Sequence, residues 1–178
     1  MKARKIDKEF FLRDAEFVAR ELLGKIIVRK INGKEFRARI VETEAYFGSE
    51  DPASRAVQNG DLRRTMLMDA GTILVYGIHN NWLVNFVTNK TGMAEAVLIR
   101  ALEPMNFEGN TKGPGLLTKS LKIKKDLHKK SVCEGDKIWV EDDGMNLDVC
   151  EDFRIGIRND LPKKLRFYIK DNGWVSRR

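Results

Sequence analysis

The chain has 178 residues, 33 lysines and arginines against 26 aspartates and glutamates, and 42% hydrophobic content. That length fits a single domain spanning 1–178, and two cysteines (Cys133, Cys150) with two histidines (His79, His128) argue against a disulfide framework and against a structural zinc site. No apolar run approaches the roughly 18 residues of a membrane span, so the expectation is a soluble, reduced, cytosolic protein that holds no metal.

The net charge of +7 invites a polyanionic partner, and its distribution is more informative than its sum. Residues 1–39 carry a balance of +6, residues 40–110 of −4, 111–133 of +6, 134–153 of −7 and 154–178 of +6. Two arrangements fit. Either the three basic blocks share one phosphate-facing surface with the stretch from Glu134 to Asp152 turned away, or these are solvated loops of opposite sign. Charge alone favours the second.

In chain order, Asp14 reads as an N-cap for a helix from Ala15 to Leu23, with Phe17, Val18, Leu22 and Leu23 at helical spacing and Gly24 at the stop. Ile26-Ile27-Val28 and Phe36 to Phe47 read as strands around the turn signal Asn32-Gly33. A second hairpin is expected between Gly71 and Thr88. Its strands are Ile73–Tyr76 and Trp82–Val87, and its turn is His79-Asn80-Asn81. Ala94 to Leu102 is an apolar run interrupted by Arg100, read as a buried strand. Gly113-Pro114-Gly115 breaks the chain before a short amphipathic helix from Leu116 to Ile123. Late strands are expected at Ile138–Val140, Phe153–Ile157 and Leu165–Ile169. Strands dominate without a repeating βαβ pattern. The class is therefore α+β, a single compact domain on a curved, mainly antiparallel sheet with a protruding hairpin and flanking helices.

Period-2 alternation over Ile40 to Tyr46 puts Glu42, Glu44 and Tyr46 on one strand face. This is either a carboxylate on a rigid element backed by a ring, or the polar side of a half-exposed strand. Arg100 weighs against the second reading. A guanidinium ending the run Ala96–Ile99 is costly to bury unless an acid pairs with it, and Glu42 or Glu44 is available. A carboxylate oriented by arginine is expected to stay ionised near neutral pH and to be able to activate water. The second hairpin offers Tyr76 before its tip and Trp82 after it. Either a ring there wedges into a base stack, or both rings pack in the core and the asparagines merely make the turn. Candidate phosphate contacts are Arg63-Arg64, Lys112, Lys119, Lys122, Lys124-Lys125, Lys129-Lys130, Lys163-Lys164 and Arg177-Arg178, which together would make binding strongly salt-dependent. No P-loop, Rossmann fingerprint or helix-turn-helix is present.

The string Arg39-Ile40-Val41-Glu42-Thr43-Glu44-Ala45-Tyr46, followed by Gly48 and Glu50-Asp51, resembles the 3-methyladenine (alkyladenine) DNA glycosylase family. Gly71-Thr72 to Tyr76, Leu98 to Pro104, Gly113-Pro114 before a short helix, and the ending Leu165–Ile169 with Trp174-Val175-Ser176 agree in order, so the resemblance spans about residues 10 to 176. It implies a monofunctional, monomeric glycosylase that flips a damaged purine out of double-stranded DNA and hydrolyses its N-glycosylic bond. No cofactor, metal or lysine Schiff base is implied. By position, Glu44 is similar to the family's general base and Arg100 to the residue that holds Glu44 and the attacking water. The backbone carbonyl of Ile155 is similar to a further ligand of that water. Tyr46 and Tyr76 correspond to rings that stack on the flipped base, and Asn85 to a residue that screens purine substituents. The implied location is cytoplasmic, at the nucleoid of a prokaryote or in the nucleus of a eukaryote.

The sequence departs from that pattern twice. Arg55 stands where the family commonly has a histidine against the flipped base. A permanent cation there disfavours a cationic alkylpurine, which points either to a neutral substrate such as hypoxanthine or to Arg55 turned away from the pocket. At the hairpin tip the family carries a tyrosine wedge. Here one residue is missing between His79 and Trp82, leaving His79 or Ile78 as the intercalating residue. These departures motivate one rival, a nucleic-acid-binding module that kept the fold and lost catalysis. The other is an RNA-directed glycosidase or RNA-structure binder, for which the sequence shows no aromatic single-strand platform.

Overall fold

The computed structural model describes residues 3–177. Its elements in chain order are β1 (Arg4–Lys5), α1 (Lys8–Phe11), α2 (Ala15–Glu21), β2 (Ile26–Ile31), β3 (Lys34–Tyr46), α3 (Asp61–Met66), β4 (Ile73–Ile78), β5 (Asn81–Val87), β6 (Ala96–Pro104), α4 (Pro114–Ser120), a 3₁₀ turn (Lys125–Leu127), β7 (Ile138–Asp142), β8 (Val149–Asp152) and β9 (Arg166–Ile169). The strands join in one open sheet ordered β1-β7-β2-β3-β6-β5-β4, with β9 added beside β3 and β8 beside β9. Every pairing among the described residues is antiparallel. The α+β class with a mainly antiparallel sheet is therefore observed.

Local signals explain most boundaries. The Asp14 carboxylate accepts the Phe17 N–H at 3.0 Å, so α2 starts where its N-cap dictates, a contact worth about 1 kcal/mol. Asn32 (φ 49) and Gly33 (φ 80) form the two-residue turn between β2 and β3, whose left-handed backbone asparagine and glycine tolerate best. The second hairpin turns in the same way on His79 (φ 47) and Asn80 (φ 63), while Asn81 already belongs to β5. Helix α4 begins at Pro114, earlier than Leu116, because proline is preset for the first helical turn. The Thr118 hydroxyl donates to Trp82 O at 2.7 Å and fixes α4 against β5. A side chain on Gly115 would meet Asn81 at 2.8 Å, so glycine is needed for that approach.

β3 organises the molecule. Its first half pairs β2, and its second half pairs β9 on that same edge, while β6 runs along the other edge from Ala38 to Tyr46. The register against β6 slips locally between Ile40 and Thr43, an irregularity of the kind that bends a strand. One face of the sheet carries the larger core. Val41, Ala45, Ile73, Val75, Val84, Phe86, Val97 and Ile99 meet Val18 and Ala19 of α2, Leu22 at its C-cap and Leu117 of α4 there. The other face carries a smaller apolar cluster of Ala56, Met66, Leu74, Val87 and Ala96, and beside it the polar groups described below.

One expected strand is absent: Phe153 to Ile157 is irregular, and the strand of that region is β8, ending at Asp152. The segment is held by side-chain bonds in place of a ladder. Arg154 is fixed from below by carboxylates, the Ile155 N–H bonds a carboxylate, and Gly156 turns at φ 75. Charge is also arranged differently from a single basic face. Arg20, Lys25, Arg37 and Arg39 of the first basic block pair with Glu151, Asp142, Glu141 and Asp143 of the acidic block. Those two blocks neutralise one another. Lys112, Lys119, Lys122, Lys124, Lys125 and Lys130 make no ion pair among the described residues and are exposed.

Candidate active site

Residues directly opposite in a sheet share a face. Glu44 lies opposite Leu98, Leu98 opposite Asn85, and Asn85 opposite Leu74. This row, with Tyr46, Arg100 and Tyr76 each two residues along its own strand, sits on the face away from the larger core. The alternation expected for Glu42, Glu44 and Tyr46 is present, but the face is not half-exposed: both glutamates are at 0% exposure. The segment after β3 folds over it. There Asp51 accepts the N–H groups of Phe47 (3.0 Å) and Ala53 (3.1 Å) and shapes the turn.

Three segments converge on the Glu44 carboxylate. From β3 itself, the Tyr46 hydroxyl donates to Oε2 at 2.7 Å. From the loop after β8, the Ile155 N–H donates to Oε1 at 2.8 Å. From β6, Arg100 Nη1 stands 3.3 Å from Oε1. Burial pushes the Glu44 pKa above its ordinary value, and Glu42 adds to the rise; Arg100, Ile155 and Tyr46 act against it. Enclosure thus makes Glu44 more basic than a solvated glutamate. The Tyr46 phenol is pushed well above its ordinary range, first by burial and then by the Glu44 charge.

Arg100 reaches both available acids, with Nε 3.5 Å from Glu42 Oε1. Nε has no hydrogen-bond partner. Glu42 is bound more firmly elsewhere, by Arg166 Nη1 at 3.0 Å and the Ser176 N–H at 2.8 Å.

A second cluster lies behind Tyr46. The Arg154 side chain, at 0% exposure, makes 2.7 Å bonds from Nη1 and Nη2 to the two Asp51 oxygens, and also bonds Asp160 and Ala45 O. Its guanidinium stacks 4.4 Å from the Tyr46 ring centroid. Burial opposes charge on Asp51, yet Arg154 and the backbone N–H groups hold it below the usual carboxylate range. The sequence carried a signal for this residue. Arg154 sits in an apolar run, as Arg100 does, and the same argument about a buried guanidinium demands an acid for it.

The remaining expected site residues take these places. Tyr76 is half-buried beside the small cluster, and Arg55 lies over its ring at 4.9 Å. Asn85 is buried and its amide donates to Leu74 O at 3.2 Å. Trp82 packs with the larger core on the opposite face. His79 is exposed at the hairpin tip and Ile78 is half-buried beside it. A groove of about 560 Å³ beside the tip is lined by Asn80, Trp82, Lys119, Lys122 and Lys124. Of the other candidate phosphate contacts, Lys129 pairs with Asp61 and Lys163 with Glu16, and Arg178 lies outside the described residues. Among the described residues no group of three or more His, Cys, Asp or Glu is placed to hold a metal ion, and no helix is long and apolar enough to cross a membrane.

Comparison with known proteins agrees with the resemblance. The family model described as methylpurine-DNA glycosylase matches residues 9–173. Proteins provisionally named 3-methyladenine DNA glycosylase in Aeropyrum pernix and Legionella pneumophila (strain Lens) are each 40% identical over 98% of the chain and 94% and 99% of their own lengths. One in Borrelia garinii is 41% identical over 97% of the chain and all of its own length. The class is that of DNA glycosylases, repair hydrolases that cleave an N-glycosyl bond. The chain belongs to the methylpurine-DNA glycosylase family.

Proposed function

We propose that this protein, acting as a monomer on double-stranded DNA, flips a damaged purine of the 3-methyladenine, 7-methylguanine or hypoxanthine type from the helix and hydrolyses its N-glycosylic bond with a water activated by Glu44. The observation that carries the reading is the enclosed carboxylate held by three groups from three segments. Two carboxylate oxygens offer about four lone-pair sites. Tyr46 and Ile155 take two, Arg100 Nη1 stands 3.3 Å away as an ion-pair partner, and lone-pair capacity is left for a water. Enclosure raises the basicity of Glu44 while the three partners oppose its neutralisation. These are the conditions for a general base working near neutral pH.

The same charge serves the transition state. As the glycosylic bond lengthens, positive charge grows on the sugar, and a carboxylate aimed at it in a dry site stabilises that charge. Arg100 holds Glu44 and the water, and the carbonyl of Ile155 is assigned as a further ligand of that water, beside the N–H that already restrains Glu44. Tyr46 and Tyr76 supply stacking surfaces for the extruded base, with Asn85 and Arg55 at its edge. His79, with Ile78 behind it, fills the gap left in the duplex, and the lysines along the groove beside the tip bear on the phosphates.

Release of free base from duplexes that each carry one modified purine, read by chromatography under single turnover, tests the reaction. Base release from at least one such duplex and none from undamaged DNA is expected. No release from any would leave a binding module. Replacing His79 by alanine is expected to weaken binding to an abasic-site analogue by about 5- to 10-fold, measured by fluorescence anisotropy. Unchanged affinity would remove it from the wedge position.

A further inference from the structure

Glu42 is a fully buried carboxylate to which the mechanism above gives no part. A buried charge is retained at a cost unless its partners repay it, and the Glu42 partners are informative. They are Arg100 from β6, Arg166 from β9 and the Ser176 N–H from the C-terminal stretch, with Glu44 two residues away on the same strand face. Arg166 bonds Asp152 (2.9 Å), and it also donates to Phe153 O (3.1 Å) and Arg177 O (3.1 Å). Charges therefore alternate in a line from Asp152 through Arg166, Glu42 and Arg100 to Glu44.

Both partners of Glu44 from outside its own strand are tied to this line. Arg100 hangs between Glu42 and Glu44 at 3.5 and 3.3 Å. Ile155 follows by two residues the Phe153 carbonyl that Arg166 holds. We infer that the Glu42–Arg166 pair is a positioning element for the reaction: it sets where Arg100 and the Ile155 N–H stand around Glu44 and closes the C-terminal stretch over the site. The inference rests on Glu44 acting as the base. Neither Glu42 nor Arg166 is assigned any contact with substrate, and no proton passes along the line.

The test is Glu42→Gln, which keeps the shape and removes the charge, assayed by single-turnover base release across pH and by affinity for a lesion duplex. With Arg100 less firmly placed, release is expected to slow by about 10- to 100-fold while affinity stays within about 2-fold. Glu42 raises the Glu44 pKa, so loss of its charge moves the acid limb whatever its role, and the split between rate and affinity is the readout that decides. A merely structural role would lower stability and affinity together with the rate. A wild-type rate, or an affinity that falls with the rate, overturns the inference. Should this variant fail to fold, Arg166→Lys keeps the charge but loses the fork that grips Phe153 O and Asp152. It must slow release by a similar factor with lesion binding intact, and a wild-type rate in that variant overturns the pair. Absence of base release from the wild-type protein would instead overturn the glycosylase mechanism itself, and this inference with it.

Discussion

Two buried arginines, Arg154 and Arg100, stand on either side of the same strand end and are bonded in opposite ways. Arg154 has two 2.7 Å bonds to Asp51, further bonds to Asp160 and Ala45 O, and the Tyr46 ring stacked on its plane. Arg100 has two acids, neither closer than 3.3 Å, and an Nε without a hydrogen bond. Both guanidiniums are costly to bury, so both must be compensated. Only the first is compensated in full. A saturated ion pair has nothing left to give a ligand and serves as a brace, fixing the loop over the site and the back of Tyr46. An undersaturated one keeps donor capacity for a water or a substrate, as a reacting group requires.

The largest effects should fall on the saturated side, and on stability. Asp51→Asn leaves Arg154 short of its main counter-charge in a closed site and should destabilise the fold by about 3–5 kcal/mol, measured by denaturant unfolding. A change below 1 kcal/mol would break the contrast, because it would make Arg154 as loosely held as Arg100. The same conservative exchange at both positions should then give opposite results. Arg154→Lys is expected to cost about 2–4 kcal/mol of stability. Arg100→Lys should change stability by about 1 kcal/mol or less and slow single-turnover base release by about 10- to 100-fold.

A smaller effect concerns pH. Burial raises the Glu44 pKa above 4.5, and only the ionised form can take a proton from water. Activity should therefore fall on acidification through a value above that of a solvated glutamate. An acid limb at or below 4.5 would mean that Arg100 and Ile155 outweigh burial.

What the sequence made legible follows the same division. Alternation in β3 and a guanidinium in the apolar run of β6 were enough to bring Glu42, Glu44, Tyr46 and Arg100 to one face, because register propagates such placement across neighbouring strands. The asparagine-containing turns placed both hairpins for the same local reason. Phe153 to Ile157 reads as a strand because its apolar residues suit a ladder, and nothing local says that Asp51, about a hundred positions earlier, claims Arg154. The short helices α1 and α3 gave no periodic signal over four and six residues. The charge blocks looked like surface potential; the pairing of Arg37 and Arg39 with the acids of β7 and its following loop needed the sheet order, which composition does not contain. The difference between Glu42 and Glu44, identical by pattern, appears only when their partners are seen.

Single-turnover base release by Glu44→Gln on a lesion duplex, beside its affinity for the same duplex, tests the central assignment most directly. Removal of the base should reduce release by about 1,000-fold or more while binding stays within several-fold of the wild type. Release at the wild-type rate would contradict the account and require another group in the site to activate the water.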